Sequence, residues 1–359
     1  MNYYRKTYAN INLKHLIHNI DTIYSKSKKP LMAIVKANAY GHGDQCVAKA
    51  LENKNEVIML GVATLKEAID LKKANITKPI LVIGAVATED VFSAINHQVA
   101  ITAYSLEFIE AISQMIFKDD LKVHIKIDTG MNRLGLKDVN ELNQAMALLQ
   151  HNEKIIVEGV FTHFGASETE DDTYQQQINR FKKIIENYDF KYIHADNSAG
   201  TMYHHDNFTN MDRLGIGMYG IDPKGNVDTS LKQVMSLYTT VMMVKKIHVG
   251  EKVGYNFTYE ARNDQYIATL PIGYADGLIR KNQGRNVYIN GKEYEIVGRV
   301  CMDQIMVKVD ETVKSGDVVE IFGEHISLNR MAQELETIPY EIMCLLSLRV
   351  ERRYVGYCS

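Results

Sequence analysis

Apolar runs alternate with amphipathic stretches along the first two-thirds of the chain. The stretches between the runs have helical periodicity, as in 174–188, where Tyr174, Ile178 and Phe181 share one face. A further helix is predicted at Thr64-Leu-Lys-Glu67, which has the pattern of a capping box. The runs typical of strands are 31–35, 57–63, 80–84, 99–103, 123–127, 155–161, 192–195 and 214–219.

Continuous apolar strands alternating with helices are typical of parallel strands that are buried on both faces. Eight such units over about 220 residues match the size of a closed (β/α)8, TIM-like barrel. The α/β class is therefore predicted, with an open doubly wound sheet as the alternative. No Gly-x-Gly-x-x-Gly turn follows the first strand, which favours the barrel.

The pattern changes after residue 230, where segments such as 237–244, 266–270 and 286–289 alternate between apolar and polar positions. Asn290-Gly291 predicts a tight hairpin turn, and 327–336 and 340–347 are predicted to be helical. We therefore expect a cofactor-binding barrel in residues 1–230 and a mostly antiparallel β domain in 231–359. The boundary is placed near 223–230, and the first ten or so residues are candidates for pairing with the second domain.

The composition of 359 residues, 46% hydrophobic and 24% charged, is ordinary for a globular protein. A net charge of −3 favours neither nucleic-acid nor membrane-surface binding. Neither a membrane span nor a signal-peptide core is visible, so a cytoplasmic protein acting on a small molecule is expected. The cysteines lack Cys-x-x-Cys spacing, which indicates neither a metal site nor a disulfide framework; they are Cys46, Cys301, Cys344 and Cys358.

Lys36 ends the first strand and precedes a glycine-flanked loop. A lysine at the mouth of a buried strand is partly desolvated, which favours the neutral amine that forms a Schiff base. The alternative is an ordinary solvated lysine at a strand end.

Other polar residues follow later strands, and barrel chemistry collects at these strand ends. Gly215 and Ile216 could offer N–H groups to a phosphate, with hydroxyls from Ser198 and Tyr40. A Schiff-base lysine together with a phosphate cradle suggests pyridoxal 5′-phosphate (PLP) as cofactor. Arg133 could hold a substrate carboxylate through its fork of donors.

Structural interpretations of the same residues remain open at this point. His163 on an apolar strand would often be a core histidine, and Arg213 could pair with its neighbour Asp212. Asp128 and Asp196 could each cap the loop that follows.

With these residues in place, the chain resembles the alanine racemases over essentially its whole length. Further motifs of that family are Phe161-Thr-His-Phe164, Asn197-Ser198 and Leu270-Pro-Ile-Gly-Tyr-Ala-Asp-Gly277. The longer motifs that carry the resemblance are Ala33-Ile-Val-Lys-Ala-Asn-Ala-Tyr-Gly-His-Gly43, Ile127-Asp-Thr-Gly-Met-Asn-Arg-Leu-Gly135, Arg213-Leu-Gly-Ile-Gly-Met-Tyr-Gly220 and Gly298-Arg-Val-Cys-Met-Asp-Gln304.

The resemblance implies that Lys36 attaches PLP and is one catalytic base, while Tyr274, from the partner subunit of a homodimer, is the other. Arg213 would face the pyridine nitrogen, with His163 behind it. Tyr40, Ser198, Gly215 and Ile216 would hold the phosphate. Arg133 and the Met302 backbone would bind the substrate carboxylate beside Asp303, and Lys126 would be a candidate for carbamylation.

The activity implied is interconversion of L- and D-alanine, which supplies D-alanine for peptidoglycan. The alternatives are a serine or broad-specificity racemase on the same scaffold, a non-catalytic PLP carrier, or a PLP decarboxylase, which would normally place an acidic residue where Arg213 stands.

Two positions depart from the family pattern. Asn132 replaces a glycine or serine, and Leu348 replaces a tyrosine that contacts the phosphate and narrows the entrance.

Overall fold

A computed structural model describes residues 5–169, 171–204, 206–225, 228 and 230–356. Part of the predicted domain boundary and Cys358 therefore lie outside the described residues. The first strand, β1 (Tyr8–Asn12), belongs to a nine-stranded sheet formed mainly by the second half of the chain. An eight-stranded parallel sheet follows; its strands are β2 (Leu31–Ile34), β3 (Val57–Val62), β4 (Ile80–Val82), β5 (Ala100–Ala103), β6 (Leu121–Lys126), β7 (Ile155–Phe161), β8 (Tyr192–His194) and β9 (Asp212–Leu214).

These strands lie in the order β8-β7-β6-β5-β4-β3-β2-β9, so the first and last strands of the unit are neighbours. The remaining gap between β8 and β9 is bridged by backbone hydrogen bonds. Asn210 N–H donates to Ile193 O and Arg213 N–H to Asp196 O, each at 2.9 Å. The predicted (β/α)8 barrel is confirmed, and its carboxyl-end loops share one face.

The prediction of a last barrel strand at 214–219 was wrong. The strand is β9, and the apolar residues after it form a buried 3₁₀ turn, Ile216–Tyr219. The chain leaves the ladder because Ser198 Oγ accepts the N–H groups of Gly215 and Gly217, at 3.0 and 3.1 Å.

Helices cover the outside of the barrel, and the predicted capping box is confirmed at the start of α4. The helix predicted for 174–188 ends at Ile185, so Tyr188 lies beyond it. The helices are α1 (Leu13–Ser27), the short turn α2 (Lys36–Tyr40), α3 (Asp44–Leu51), α4 (Leu65–Lys73), α5 (Val91–Asn96), α6 (Leu106–Ser113), α7 (Val139–Gln150), α8 (Thr173–Ile185) and α9 (Ser198–Tyr203).

The nine-stranded sheet has the order β11-β14-β17-β16-β15-β18-β10-β1-β19, and β12 pairs with β13 separately. Pairing is antiparallel except between β1 and β19. The elements are β10 (Met235–Thr240), β11 (Met243–Ile247), β12 (Lys252–Val253), β13 (Tyr259–Glu260), β14 (Gln265–Leu270), β15 (Asn286–Ile289), β16 (Lys292–Val297), β17 (Ile305–Val309), β18 (Val318–Phe322), α10 (Leu328–Leu335), α11 (Pro339–Leu345) and β19 (Glu351–Val355).

The antiparallel domain was predicted correctly, as was its Asn290-Gly291 hairpin, in which both residues have positive φ (48° and 89°). The segment 237–244 is not one strand, because the chain turns at Val241–Met242 between β10 and β11. β19 was not predicted, since its Glu-Arg-Arg-Tyr-Val sequence lacks an apolar alternation.

Within the described ranges, no helix is long and apolar enough to cross a membrane. Over the same residues, no group of three or more His, Cys, Asp or Glu side chains is placed to hold a metal ion.

Candidate active site

The loop after β2 has an unusual backbone. Ala37, Asn38, Ala39 and Tyr40 have φ values of 52–54°, in the left-handed region. Each such residue costs about 1–2 kcal/mol when it is not glycine, so four in a row persist only if surrounding contacts hold them. Here Ala37 N–H donates to Glu67 Oε1 at 2.7 Å, and His42 Nδ1 lies 2.8 Å from Ala39 O. Lys36 and Tyr40 are thereby fixed at the barrel mouth.

The Lys36 side chain is partly buried, and its amine lies among other charged groups. Burial lowers the pKa of Lys36, and the positive charges of Arg133 and Arg213 lower it further. Cys344 and Glu67 act in the opposite direction. A lowered pKa increases the fraction of neutral amine, the form that attacks a carbonyl.

Tyr40, Ser198 and Gly215 meet at one place. A Cβ atom on Gly215 would lie 2.8 Å from Tyr40 Oη and 3.8 Å from Ser198 Oγ, so a side chain there would fill the space between the hydroxyls. Burial raises the pKa of Tyr40 well above its ordinary value, which keeps its hydroxyl protonated as a donor. The two hydroxyls and the open space at Gly215 fit a bound phosphate, which would replace Ser198 Oγ as the acceptor of the Gly215 N–H. Ile216 is buried directly after them.

Arg213 is buried with 3% of its surface exposed, and carbonyl oxygens satisfy its guanidinium. It donates to His194 O at 2.9 Å and to Thr162 O and Ala195 O at 2.8 Å. The ion-pair partner of Asp212 is Lys29, with Oδ1 3.7 Å from Nζ, and the Asp212 charge acts on Arg213 only by raising its pKa against the effect of burial. Burial lowers the pKa of Arg213 to about 10, which still leaves it positively charged at neutral pH.

Histidines surround this guanidinium. His163 Nδ1 lies 3.3 Å and His194 Nδ1 3.1 Å from Arg213, and His194 Nε2 lies 2.9 Å from His124 Nδ1. Burial, followed by the charge of Arg213, lowers the pKa of His163 to about 2, so its imidazole is neutral. His124 and His194 were not among the predicted site residues, and a buried second layer leaves no specific pattern in the sequence.

Lys126 is 6% exposed and donates to Ile127 O at 2.8 Å. Burial lowers the pKa of Lys126 to about 7, assisted by Arg213 and Arg133 and opposed by Asp128. Three basic side chains therefore crowd this side of the barrel mouth.

The loop that carries Arg133 is organised by Asp128. Its Oδ1 accepts the N–H groups of Gly130 and Asn132, each at 3.0 Å, so the loop-capping interpretation of Asp128 is confirmed. Asn132 has a φ of 56°, and asparagine is among the residues that tolerate this conformation best. The departure at Asn132 therefore preserves the loop geometry that a glycine would allow.

Tyr274, Met302 and Asp303 form a second group, on the β domain. Tyr274 N–H donates to Cys301 O at 3.1 Å, and Ala275 N–H donates to Met302 O at 3.0 Å. The Asp303 carboxylate lies 2.6 Å from the Arg349 guanidinium. Tyr274 is 42% and Met302 53% exposed, so this group lies on the surface of the single chain.

Helix α11 packs against two turns of the site, the one after Lys36 and the one after Tyr274. A Cβ on Gly41, which follows the left-handed residues Ala37–Tyr40, would lie 2.2 Å from Met343 O. A Cβ on Gly277 would lie 2.5 Å from Leu345 O. Leu348 follows this helix and is 90% exposed. The side chain at this position offers no hydroxyl to a phosphate.

Comparison with known proteins identifies the relationship. Residues 11–223 match the family model for the alanine racemase N-terminal domain, and 234–354 match that for the C-terminal domain. "Alanine racemase 1" of Bacillus subtilis is 40% identical, with 98% of this chain and 94% of the relative covered.

Solved structures agree with this match. The alanine racemase of E. faecalis has a TM-score of 0.94 at 37% identity and covers 99% of this chain and 100% of its own. A histidine racemase of Leuconostoc mesenteroides has a TM-score of 0.92 at 27% identity and covers 99% of each chain. The chain therefore belongs to the alanine racemase family.

Proposed function

We propose that this protein interconverts L- and D-alanine with PLP and supplies D-alanine for peptidoglycan in the cytoplasm. One observation carries the proposal: the Lys36 amine, whose pKa is lowered, shares the barrel mouth with the Tyr40, Ser198 and Gly215 cradle. Members of this family depend on PLP, which withdraws electrons from the Cα–H bond of a bound amino acid.

We assign the protein's own contributions as follows. Lys36 attaches the cofactor and holds a proton on one face of the substrate Cα. Arg213 would bind the pyridine nitrogen of the cofactor, and because its guanidinium keeps its proton, the bound cofactor would supply a weaker electron sink than one with a protonated ring. His163 packs behind that guanidinium, and Arg133, with the Met302 backbone, binds the carboxylate. Tyr40, Ser198, Gly215 and Ile216 hold the phosphate.

Racemisation needs a second base on the opposite face, and we propose Tyr274 of a partner subunit in a homodimer. Tyr274 and Met302 are exposed, as are Tyr255 and Phe257 (68% and 67%) on the same domain. Exposed aromatic side chains at this density are typical of an interface with another chain. A homodimer would cover them and place Asp303 beside the carboxylate site.

The direct test incubates the purified holoenzyme with L-alanine and measures D-alanine over time by chiral chromatography. We expect equal amounts of both enantiomers at equilibrium, because the two differ only in handedness. Bound PLP without any D-alanine would overturn the proposal and favour a carrier.

Serine or broad-specificity racemisation is the second candidate. Leu348 removes a polar group expected at the entrance, and a protein of the same fold is named a histidine racemase. The same assay with L-serine, L-lysine and L-histidine separates the candidates. A kcat/KM for any of them close to that for alanine would replace the narrow assignment.

Lys126 is expected to react with carbon dioxide, releasing a proton and forming a carbamate. Its pKa of about 7 makes the neutral amine available above that pH, and the anion formed would neutralise the charge of Arg133 and Arg213 nearby. Carbon-13 NMR in labelled bicarbonate should show a carbamate signal that grows from pH 6 to pH 8. An identical signal in Lys126→Ala would assign it elsewhere.

A further inference from the structure

We propose that Glu67 is a positioning residue whose carboxylate holds the left-handed turn after Lys36, and thereby aims Lys36 and Tyr40 into the site. The inference rests on the function proposed above. Glu67 lies in the first turn of α4, the helix that follows β3, whereas Lys36 follows β2. Its role in helix capping is visible in the sequence, whereas its contact with the left-handed turn after Lys36 is not.

The Glu67 carboxylate connects two consecutive barrel loops. Oε1 accepts the N–H of Ala37, the residue after Lys36, at 2.7 Å. Oε2 accepts the N–H groups of Ala63 and Thr64 at 2.8 and 3.0 Å. Hydrogen bonds to an ionised acceptor are stronger than neutral ones, and both oxygens are used. The turn is therefore tied to the rigid end of β3.

Ala37 is the first of the four left-handed residues, so its N–H fixes where the turn begins. The far end is held separately, by His42 Nδ1 near Ala39 O and by Asn38 Oδ1, which accepts Asp44 N–H at 3.0 Å. The Lys36 end is also held by the Ala39 N–H, which donates to Val35 O at 2.9 Å. Loss of the Glu67 contact should therefore loosen the Lys36 end of the turn while the far end stays in place.

Glu67 also acts on Lys36 through its charge. Four groups face the amine electrostatically: Arg133 and Arg213 lower the pKa of Lys36, while Cys344 and Glu67 raise it. Removing the Glu67 charge should therefore lower this pKa further. A purely structural residue would not change it.

The test compares Glu67→Gln with Thr64→Ala. Both residues belong to one capping box, in which Thr64 Oγ1 accepts Glu67 N–H at 3.3 Å. Thr64→Ala removes that hydroxyl, whereas Glu67→Gln replaces the carboxylate by an amide with a single acceptor oxygen. Both should weaken the start of α4, but Glu67→Gln alone disturbs Ala37. The glutamine amide carries two N–H donors of its own, so it cannot accept from all three backbone N–H groups at once.

In the apoenzyme, hydrogen exchange of the segment containing Ala37 should be at least about tenfold faster in Glu67→Gln than in Thr64→Ala. The pH midpoint for attachment of PLP to Lys36 should shift downward in Glu67→Gln and stay at the wild-type value in Thr64→Ala. In the holoenzyme, kcat for L-alanine should fall about tenfold or more in Glu67→Gln, with KM changed less than threefold.

Equal exchange rates and equal attachment midpoints in the two variants would overturn the positioning role. A wild-type kcat in Glu67→Gln would do the same. Exchange and PLP attachment do not require racemisation, so these two readouts stand even if the wild-type protein fails to convert alanine. Failure of the proposed function is thus distinguishable from failure of this inference.

Discussion

Replacement of Lys36 by alanine is expected to abolish covalent attachment of PLP and to lower kcat by about 10⁴-fold or more. The variant loses both the nucleophile and one of the two proposed bases, and proton transfer by a positioned group alone contributes about 10²–10⁴-fold. The measurement is the visible absorption band of bound PLP, combined with borohydride reduction and peptide mass spectrometry. Reduction should label residue 36 in the wild type and leave no label in the variant.

Lys72 provides a matched control, because burial also lowers its pKa. Its amine donates to Lys78 O at 2.9 Å, and it lies in α4, away from the strand mouths. Lys72→Ala should keep the PLP band and the racemase activity. An unchanged band in Lys36→Ala, or its loss in Lys72→Ala, would contradict the assignment of Lys36.

The contrast between β3 and β9 shows how far the apolar pattern predicts the fold. An apolar run indicates burial, and most buried runs of the barrel are strands. The prediction of 57–63 for β3 therefore differs from the observed Val57–Val62 by one residue. The run at 214–219 is equally buried but is a 3₁₀ turn. Its conformation depends on Ser198, a residue distant in sequence. The Ser198 hydroxyl accepts hydrogen bonds from N–H groups that in a strand would bond to a neighbouring strand.

The candidate site likewise contains residues that the sequence predicts and contacts that it does not. Lys36 and Ser198 follow barrel strands and Arg213 lies within β9, and the geometry of the barrel brings these strand ends together. The oxygens that accept hydrogen bonds from Arg213 are backbone carbonyls. Because every sequence has such carbonyls, the partners of the Arg213 guanidinium could not be predicted. The contact between Glu67 and Ala37 spans 30 residues and depends on a left-handed turn in a sequence with alanines at two of its positions.

Tyr274→Phe is the second substitution with a large expected effect. It removes a hydroxyl and retains the ring, so the packing at this exposed site should change little. We expect kcat for L-alanine to fall about 10²–10⁴-fold, as for loss of a positioned acid or base, while PLP attachment to Lys36 persists. Stopped-flow spectroscopy separates the two steps. Full L-to-D turnover in the variant would remove Tyr274 from the mechanism.

Mixing the two inactive variants tests whether Tyr274 acts across a subunit interface. In a heterodimer of Lys36→Ala and Tyr274→Phe chains, shared sites would leave one site with both residues intact and the other with neither. Random pairing makes half of the dimers mixed, so about a quarter of wild-type activity should return. Sites built within one chain would each lack one residue and regain none. Verified heterodimers without activity would therefore place Tyr274 outside a shared site, and the exposed position of its ring would then need another explanation.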